Sequence, residues 1–536
     1  MSRRRIALLV GVVALLSPSV AHASMHSDAL KIRRGLTQAQ RAHWLQPADT
    51  ERYRAALGRA GLDTARLPKA RVAVIASLLN EVAFQGGSYT SPRALALFSM
   101  LETNLAYLET HVLPRGQTDI TDVDGVVYRW FAGRGFQFHP LANFGALNTA
   151  VASEDVDATR TLADALVARG VPRGPSLRWE YYFPFDNGRP PWTSGMAQAV
   201  AAQALSGAAS LLNDQTLLQA AGKAYAAVPA ALVQKLAEGP WIRLYSFNRL
   251  IVLNAQLQAI LSLLDFAQAT GDADAQALAS AMTVAAQILL PSFDTGYWSL
   301  YSLGGAEAPL NYQRFVTQLL IKLASRTQDP VWKAAAARFY GYVRQPPQIG
   351  LAPITAPIPV AAEGATGLPA SIRIAFTLSK RSRVTLTAGG RSVTATLSRG
   401  PRTLIWKPGP LKPGSYNATL TAVDLAGNRA TVALPQPFVV TSEAPPPATV
   451  APQIASAQLQ GGVLTWQVTE PGASSVELEL DLASDSADPQ ALPLGQQPLS
   501  GSLTVTLPSG TWEATLVAVN QAGLSGSYSL GTVVVP

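Results

Sequence analysis

The chain has 536 residues, 48% hydrophobic and only 14% charged, enough to bury large cores in roughly two to four domains. It holds no cysteine, which excludes a disulfide framework, a lipid anchor on cysteine and any thiol nucleophile. A formal net charge of +8 favours acidic partners such as uronate-containing glycans, anionic envelope polymers or nucleic acid, but no nucleic-acid-binding motif accompanies it.

Residues 1–23 read as an export signal. Arg3, Arg4 and Arg5 precede the apolar stretch Ile6 to Leu16, and Ala21-His22-Ala23 supplies a small-x-small cleavage site before Ser24. Ser2-Arg-Arg-Arg-Ile6 also loosely fits a twin-arginine signal. The expected destination is the periplasm, the cell envelope or the medium. No later segment has the uninterrupted apolar length of a membrane span.

Up to about residue 345 the pattern is helical. Arg71 to Ala83, Pro92 to Leu108, Phe144 to Arg169, Met196 to Asn213, Leu250 to Thr270, Ala273 to Leu290 and Tyr312 to Leu323 carry apolar residues at three-and-four spacing. Between them lie Gly, Pro and aromatic loops. Asp119, Asp122 and Asp124 before Gly125 hint at calcium, but position twelve from Asp119 is Trp130 rather than the glutamate an EF-hand needs, so a solvated acidic turn is expected. His139 in Phe136-Gln-Phe-His-Pro140 reads either as a cleft residue or as a histidine fixing a loop. Asp294-Thr-Gly296, a single copy in a helical context, is not a protease site.

The most informative stretch is Arg178-Trp-Glu-Tyr-Tyr-Phe-Pro-Phe-Asp186, followed by Pro190-Pro-Trp-Thr-Ser-Gly-Met-Ala-Gln198 and an Ala-rich run. Flat aromatic faces stack on pyranose rings, and Thr193 or Ser194 can cap the helix that follows. A sugar-binding rim and a buried aromatic loop closing a helical core both fit. Glu180 and Asp186 are the carboxylates of this loop.

Past Pro346 the sequence turns to short alternating strands such as Ser382 to Ala388 and Ser475 to Leu480. Gly414-Ser-Tyr-Asn-Ala-Thr-Leu-Thr-Ala-Val-Asp-Leu-Ala-Gly427 is echoed 96 residues later by Gly510-Thr-Trp-Glu-Ala-Thr-Leu-Val-Ala-Val-Asn-Gln-Ala-Gly523. These copies resemble bacterial immunoglobulin-like and fibronectin-like accessory domains. Glu443-Ala-Pro-Pro-Pro-Ala448 reads as a stiff linker between them, and Gln345-Pro-Pro-Gln348 through Pro357 as another at the helical border.

Gly135-Phe-Gln-Phe-His-Pro140, Trp179 to Phe183, the string Pro190 to Gln198, Val252-Leu-Asn254 with Leu263-Leu264-Asp265, Asp294-Thr-Gly296 with Tyr301, and Tyr312 before Leu320 occur in a familiar order. Over about residues 125 to 345 the chain resembles the D-glucuronyl C5-epimerase C-terminal domain family. The resemblance implies an all-α (α/α) toroid-type domain, which the change of pattern bounds at 24–345; with the 96-residue echo, the expected protein is multidomain, two all-β immunoglobulin-like sandwiches following over 350–441 and 450–536. The resemblance also implies an isomerase that removes and returns the proton at the fifth carbon of uronic-acid units in an acidic polysaccharide, with no cofactor and no metal. Tyr245 and Tyr312 would be the acid/base pair and Tyr301 a supporting proton donor. Arg243 and Arg314 would neutralise the substrate carboxylate, Trp179, Tyr181 and Trp192 would stack on sugar rings, and Gln198 and His139 would complete the binding set.

Three positions depart from the family pattern. Leu244 stands where a glutamate is expected, and Gln313 and Val316 where histidines are. Three readings therefore stay open: an epimerase relying on tyrosines, a lyase-like enzyme working by β-elimination, and a glycan-binding protein without turnover.

Overall fold

The computed structural model describes residues 18–535 apart from 355, 366–368, 443–449, 472 and 485–488. The leader's arginines and apolar stretch, and the Glu443–Ala448 linker, lie outside the described residues. The chain divides into two compact units, one of residues 1–295 with 299–336 and one of residues 296–298 with 337–536.

The first unit opens with helices α1 (Pro18–Arg41), α2 (Pro47–Arg66), α3 (Lys69–Phe84) and α4 (Ser91–Thr110). A small antiparallel sheet follows, of β1 (Asp119–Thr121), β2 (Val127–Phe131) and β3 (Gly135–Phe138). Then come α5 (Pro140–Ala152), α6 (Val156–Ala168), hairpin β4 (Val171–Arg173) with β5 (Ser176–Arg178), α7 (Gly195–Leu212), α8 (Gln215–Ala231), hairpin β6 (Val233–Leu236) with β7 (Gly239–Ile242), α9 (Leu253–Thr270), α10 (Ala273–Phe293), α11 (Leu310–Thr327) and α12 (Pro330–Tyr342).

From β2 onward this is one motif used four times. Each helix pair turns through a residue in the left-handed region, Glu154, Asn213, Gly271 or Gln328, and the next residue is an aspartate: Asp155, Asp214, Asp272 or Asp329. Each carboxylate accepts from backbone N–H groups at the start of the following helix, namely Ala158, Thr216 with Leu217, Ala275 and Val331. A short turn plus an N-cap folds the second helix back on the first.

A buried amide four residues past each N-cap of α5, α7, α9 and α11 ties the helix to the segment before it. Asn143 exchanges bonds with the Val127 backbone at 2.7 and 2.8 Å. Gln198 donates to Leu177 and Ala224 carbonyls at 2.6 and 3.1 Å. Gln256 accepts from Ile242 N at 2.8 Å and donates to Pro240 and Met282 carbonyls, and Gln313 accepts from Ser299 N at 2.9 Å. Unpaired backbone groups in the interior would cost about 1–3 kcal/mol each, so the amides fix where every preceding loop lies.

Helices α5, α7, α9 and α11 pack side by side in a row, and α6, α8 and α10 each pack against the helix before them. Composition explains which is which. The Ala-rich α7 is buried on nearly all sides and admits close neighbours, whereas α10 buries one stripe, Ala275, Ala279, Met282, Ala286 and Leu290. Helix α10 is long and apolar enough by composition to cross a membrane, contrary to the sequence expectation; here its buried stripe packs on α9 and β7. The single helix expected over Phe144 to Arg169 is two, because Ser153-Glu154-Asp155 breaks it with positive φ and a cap.

The second unit is built of sheets that are antiparallel except where Phe438–Thr441 pairs parallel with Ile358–Ala361. Arg391–Leu397, Ser382–Ala388, Ala418–Asp424 and Arg429–Ala433 form one, and Gly400–Trp406 with Ile372–Leu378 and Ile349–Leu351 another. Alternate residues from both, among them Phe376, Leu386, Trp406 and Leu420, share a core. Ile349–Leu351 pairs with Phe376–Leu378, so part of the expected border linker is strand. Gln453–Gln460, Val463–Thr469 and Ser500–Thr504 form a sheet, as do Gln490–Pro498, Ser475–Ala483, Gly510–Val519 and Ser525–Val535. Leu464, Leu478, Trp512 and Leu516 are in their core.

The 96-residue echo repeats bond for bond. Asp424 Oδ1 accepts from Ala426 N and Asn428 N, and Asn520 Oδ1 from Ala522 N and Leu524 N. Tyr416 donates to the Lys412 carbonyl and Trp512 to the Pro508 carbonyl, each four residues back.

Candidate active site

The N-terminal ends of α5, α7, α9 and α11 are stitched together. Leu141 N at the start of α5 donates to the Tyr181 hydroxyl at 3.3 Å, and Tyr181 exchanges backbone bonds with Trp192. At α7, Gly195 N donates to Arg243 O and Ser246 N to Thr193 O, both at 2.9 Å. At α9, Leu303 N donates to Ile251 O at 2.9 Å. Every loop discussed below therefore lies at one end of the helix row, the positive end of the helix dipoles.

Two groups of aromatics gather there. Tyr181 and Trp192 stack at 4.1 Å and 2°, with Phe183 at 5.6 Å from Trp192. Phe131 lies 4.6 Å from Phe183. Tyr245 and Phe247, stacked at 5.4 Å, present their rings edge-on to Trp192, and Phe185, 36% exposed, lies 5.3 Å from Tyr245. The second group is Tyr245, Tyr301 and Tyr312, all half-buried. Tyr301 and Tyr312 meet perpendicularly at 5.0 Å. The phenol of Tyr301 is within electrostatic reach of those of both Tyr245 and Tyr312. Burial pushes the Tyr245 and Tyr301 hydroxyls well above the ordinary tyrosine range, so both are proton donors at neutral pH.

The structure thus brings together the three tyrosines singled out in sequence, with Tyr181 and Trp192 beside them but only 3% and 5% exposed, stacked on each other rather than open to a sugar ring. The other candidates have different places. Trp179 is 2% exposed, donates its indole N–H to Leu166 O at 2.7 Å and packs on Phe144, so it belongs to the interior and offers no face to a sugar. Gln198 is the buried clamp of α7. His139 caps α5, its Nδ1 accepting from Ala142 N at 3.1 Å, and desolvation, with Arg129 nearby, lowers its pKa to about 3. It is neutral and tied to the backbone through Nδ1, although its ring meets Tyr181 edge-on at 5.4 Å.

The two proposed cations have different places. Arg243 donates to the carbonyls of Asn248 and Ser246, at 3.3 and 2.5 Å, and so holds the loop that carries Tyr245. Arg314 is exposed on α11, two residues from Tyr312. Two helical residues are about 200° apart, so sequence adjacency puts them on different faces.

The departures from the family pattern are interior positions: Leu244 and Val316 are buried and Gln313 is a clamp. Of the two loop carboxylates, Glu180 is buried in a two-pronged ion pair with Arg93 at 2.9 Å and unavailable. Asp186 is exposed, has positive φ, and acts electrostatically on Tyr245. Asp119 is paired with Arg129, and Asp122 accepts from Asp124 N, Val126 N and the Tyr128 hydroxyl, so the acidic turn is held by protein groups.

Sequence reasoning missed Arg129, Phe131 and Phe247. A lone arginine in the aromatic strand Val127-Tyr-Arg-Trp-Phe131 was the available signal for the first two, since alternation puts residues 129 and 131 on one face.

The family model described as D-glucuronyl C5-epimerase C-terminus matches residues 173–341. No curated protein sequence matches the chain. Among solved structures, cellobiose 2-epimerase from Bacillus thermoamylovorans is 12% identical, covering 51% of this chain and 73% of its own, with a TM-score of 0.33. Endo-β-1,4-glucanase CMCax from Acetobacter xylinum is 13% identical, covering 48% of this chain and 81% of its own, at 0.31. The fibronectin(III)-like modules of Clostridium thermocellum CbhA are 13% identical, covering 34% and 91%, at 0.13. At these scores the three likenesses decide neither fold nor activity. The family match does not depend on them: the segment that holds Tyr181, Trp192, Tyr245, Tyr301 and Tyr312 belongs to the D-glucuronyl C5-epimerase C-terminal domain family.

Proposed function

We propose that the protein is an exported carbohydrate-active isomerase that exchanges the proton at the fifth carbon of uronic-acid units in an acidic polysaccharide. The observation that carries this reading is the convergence of Tyr245, Tyr301 and Tyr312 at one end of the helix row, inside the epimerase-family segment. In the step proposed, the C5–H bond breaks, its electron pair spreads into the carboxylate, and the proton passes to a phenolate oxygen on one side of the ring. A phenol on the other face then returns a proton, and the phenolate changes sides. General acid–base help of this kind is worth about 10²–10⁴ in rate.

Tyr312 is the base in this scheme, because burial holds the phenols of Tyr245 and Tyr301 protonated. Tyr245 is the opposing acid and Tyr301 the link between them. Phe185 and Phe247 supply the apolar wall against which a sugar ring rests, with the buried Trp192 behind them. In this reading the helical row closes into an (α/α) toroid over 24–345, and two immunoglobulin-like sandwiches over 350–441 and 450–536 serve as spacers. The leader directs the chain out of the cytoplasm.

Incubation of the protein with several acidic polysaccharides in deuterated water tests the activity. Deuterium at the fifth carbon of uronate units is the expected result. An unsaturated, ultraviolet-absorbing product would point to β-elimination, and binding with no label to a glycan-binding protein.

A further inference from the structure

The chemistry above needs a cation on the substrate carboxylate; Arg314 is exposed on α11, and Arg243 gives two donors to the loop that carries Tyr245. We propose that Arg129 is the residue that anchors this carboxylate, held in position by Asp119; the assignment rests on the uronate reading of the site. The geometry begins with strand pairing. Asp119, Arg129 and Gln137 are direct cross-strand neighbours on β1, β2 and β3, so their side chains share one face of the sheet. Phe131, two residues further along β2, is on that face too, and it packs on Phe183 at 4.6 Å and on the His139 ring at 6.3 Å. Tyr128 and Trp130, on the opposite face, are 0% and 6% exposed and belong to the core. The Arg129 face of β2 is therefore the one that meets the aromatic cluster.

Asp119 takes the Arg129 Nε and Nη2 donors at 2.8 and 2.7 Å, which fixes the plane of the guanidinium. Three of the five guanidinium N–H groups then remain, and among the described residues no acceptor takes them. The side chain keeps 25% of its surface exposed, so these donors are accessible. The phenols of Tyr181 and Tyr312 and the His139 ring are all within its electrostatic reach. A fork with two donors already fixed suits a planar carboxylate, and such charge-assisted pairs strengthen as negative charge builds up on the carboxylate during proton removal. The neutral His139 leaves the guanidinium without a competing cation on the same face. Arg129 lies outside residues 173–341, so the family segment would supply the phenols and the preceding sheet the cation.

The test is an equilibrium binding measurement on the full chain, which does not depend on turnover. The probes are an oligosaccharide of β-linked D-glucuronate and its carboxyl-reduced glucose counterpart. The unaltered protein is expected to prefer the glucuronate probe by about tenfold or more. Arg129→Gln should lose that preference while keeping its affinity for the reduced probe. Arg129→Lys, which keeps the charge and the Asp119 pair but not the fork, should retain part of it. Circular dichroism and Tm establish that each variant is folded. Undiminished preference in folded Arg129→Gln, or no preference in the unaltered protein, overturns the anchor. The two ideas fail separately. Loss of preference in Arg129→Gln with no deuterium exchange by the unaltered protein sinks the epimerase reading and keeps the anchor; exchange with unchanged preference in Arg129→Gln does the reverse.

Discussion

The loop ahead of α7 and the loops ahead of α9 and α11 are both rich in aromatics, yet they spend their polar atoms differently. In the first, Trp179 and Trp192 donate their indole N–H groups to backbone carbonyls, Tyr181 accepts from Leu141, and Glu180 is locked to Arg93. In the others, the phenols of Tyr245, Tyr301 and Tyr312 address one another and stay half-exposed. A polar atom satisfied by backbone builds a wall, and one facing another titratable group can move a proton. The difference teaches that aromatic density marks a site's scaffold, while its chemistry sits where hydroxyls lack backbone partners.

The strongest way to break the comparison is to remove phenols from the second region. Tyr245→Phe and Tyr312→Phe should each lower C5 exchange by on the order of 10²–10⁴ with unchanged Kd for the polymer. Stopped exchange assays alongside binding isotherms check this. In the first region the opposite pattern is expected. Trp179→Ala should cost about 3–5 kcal/mol of stability, read from denaturant midpoints, with unchanged affinity in whatever fraction stays folded.

His139 sharpens the boundary between the regions through pH. Its folded pKa is lowered to about 3 from the ordinary histidine value of 6.5, so the unfolded chain binds the extra proton between these values. The contribution is present above pH ~6.5 and is lost as pH falls toward ~3. Glu81, raised by burial to about 7, acts with the opposite sign between the ordinary glutamate value of 4.5 and pH 7. Comparing variants isolates the histidine: His139→Asn keeps an acceptor for Ala142 N and should flatten the acid slope by on the order of a few kcal/mol, with little change at pH 7. A smaller effect belongs to Phe185, at the outer edge of the wall. Phe185→Ala should weaken polymer binding by about 1 kcal/mol and leave the rate at saturation unchanged, as isothermal titration would show.

The strand repeat could be read from sequence because its conserved features are conspicuous. An aromatic and an Asp/Asn turn recur at fixed offsets, and Asp424 and Asn520 make the same bonds. The helical repeat was hidden, although its aspartates recur every 57–59 residues, because only a cap and one amide persist while the apolar positions vary. The catalytic candidates Tyr245, Tyr301 and Tyr312 came from family resemblance rather than from spacing. Arg314 shows why adjacency misled: on a helix, two residues apart means opposite faces. Trp179 shows the other ambiguity, since a core tryptophan and a stacking tryptophan have the same sequence signal, and it is the structure that buries Trp179 against Phe144.

The central claim is that linked phenols carry proton transfer, and Tyr301, which interacts with both of its partners, tests it most directly. Deuterium incorporation at the fifth carbon should be measured at saturating polymer for the unaltered protein and for Tyr301→Phe, with circular dichroism and Kd determined on the same samples. The account predicts label in the first and at least a hundredfold slower labelling in the second, at equal fold and affinity. Full-rate labelling by folded Tyr301→Phe would contradict it.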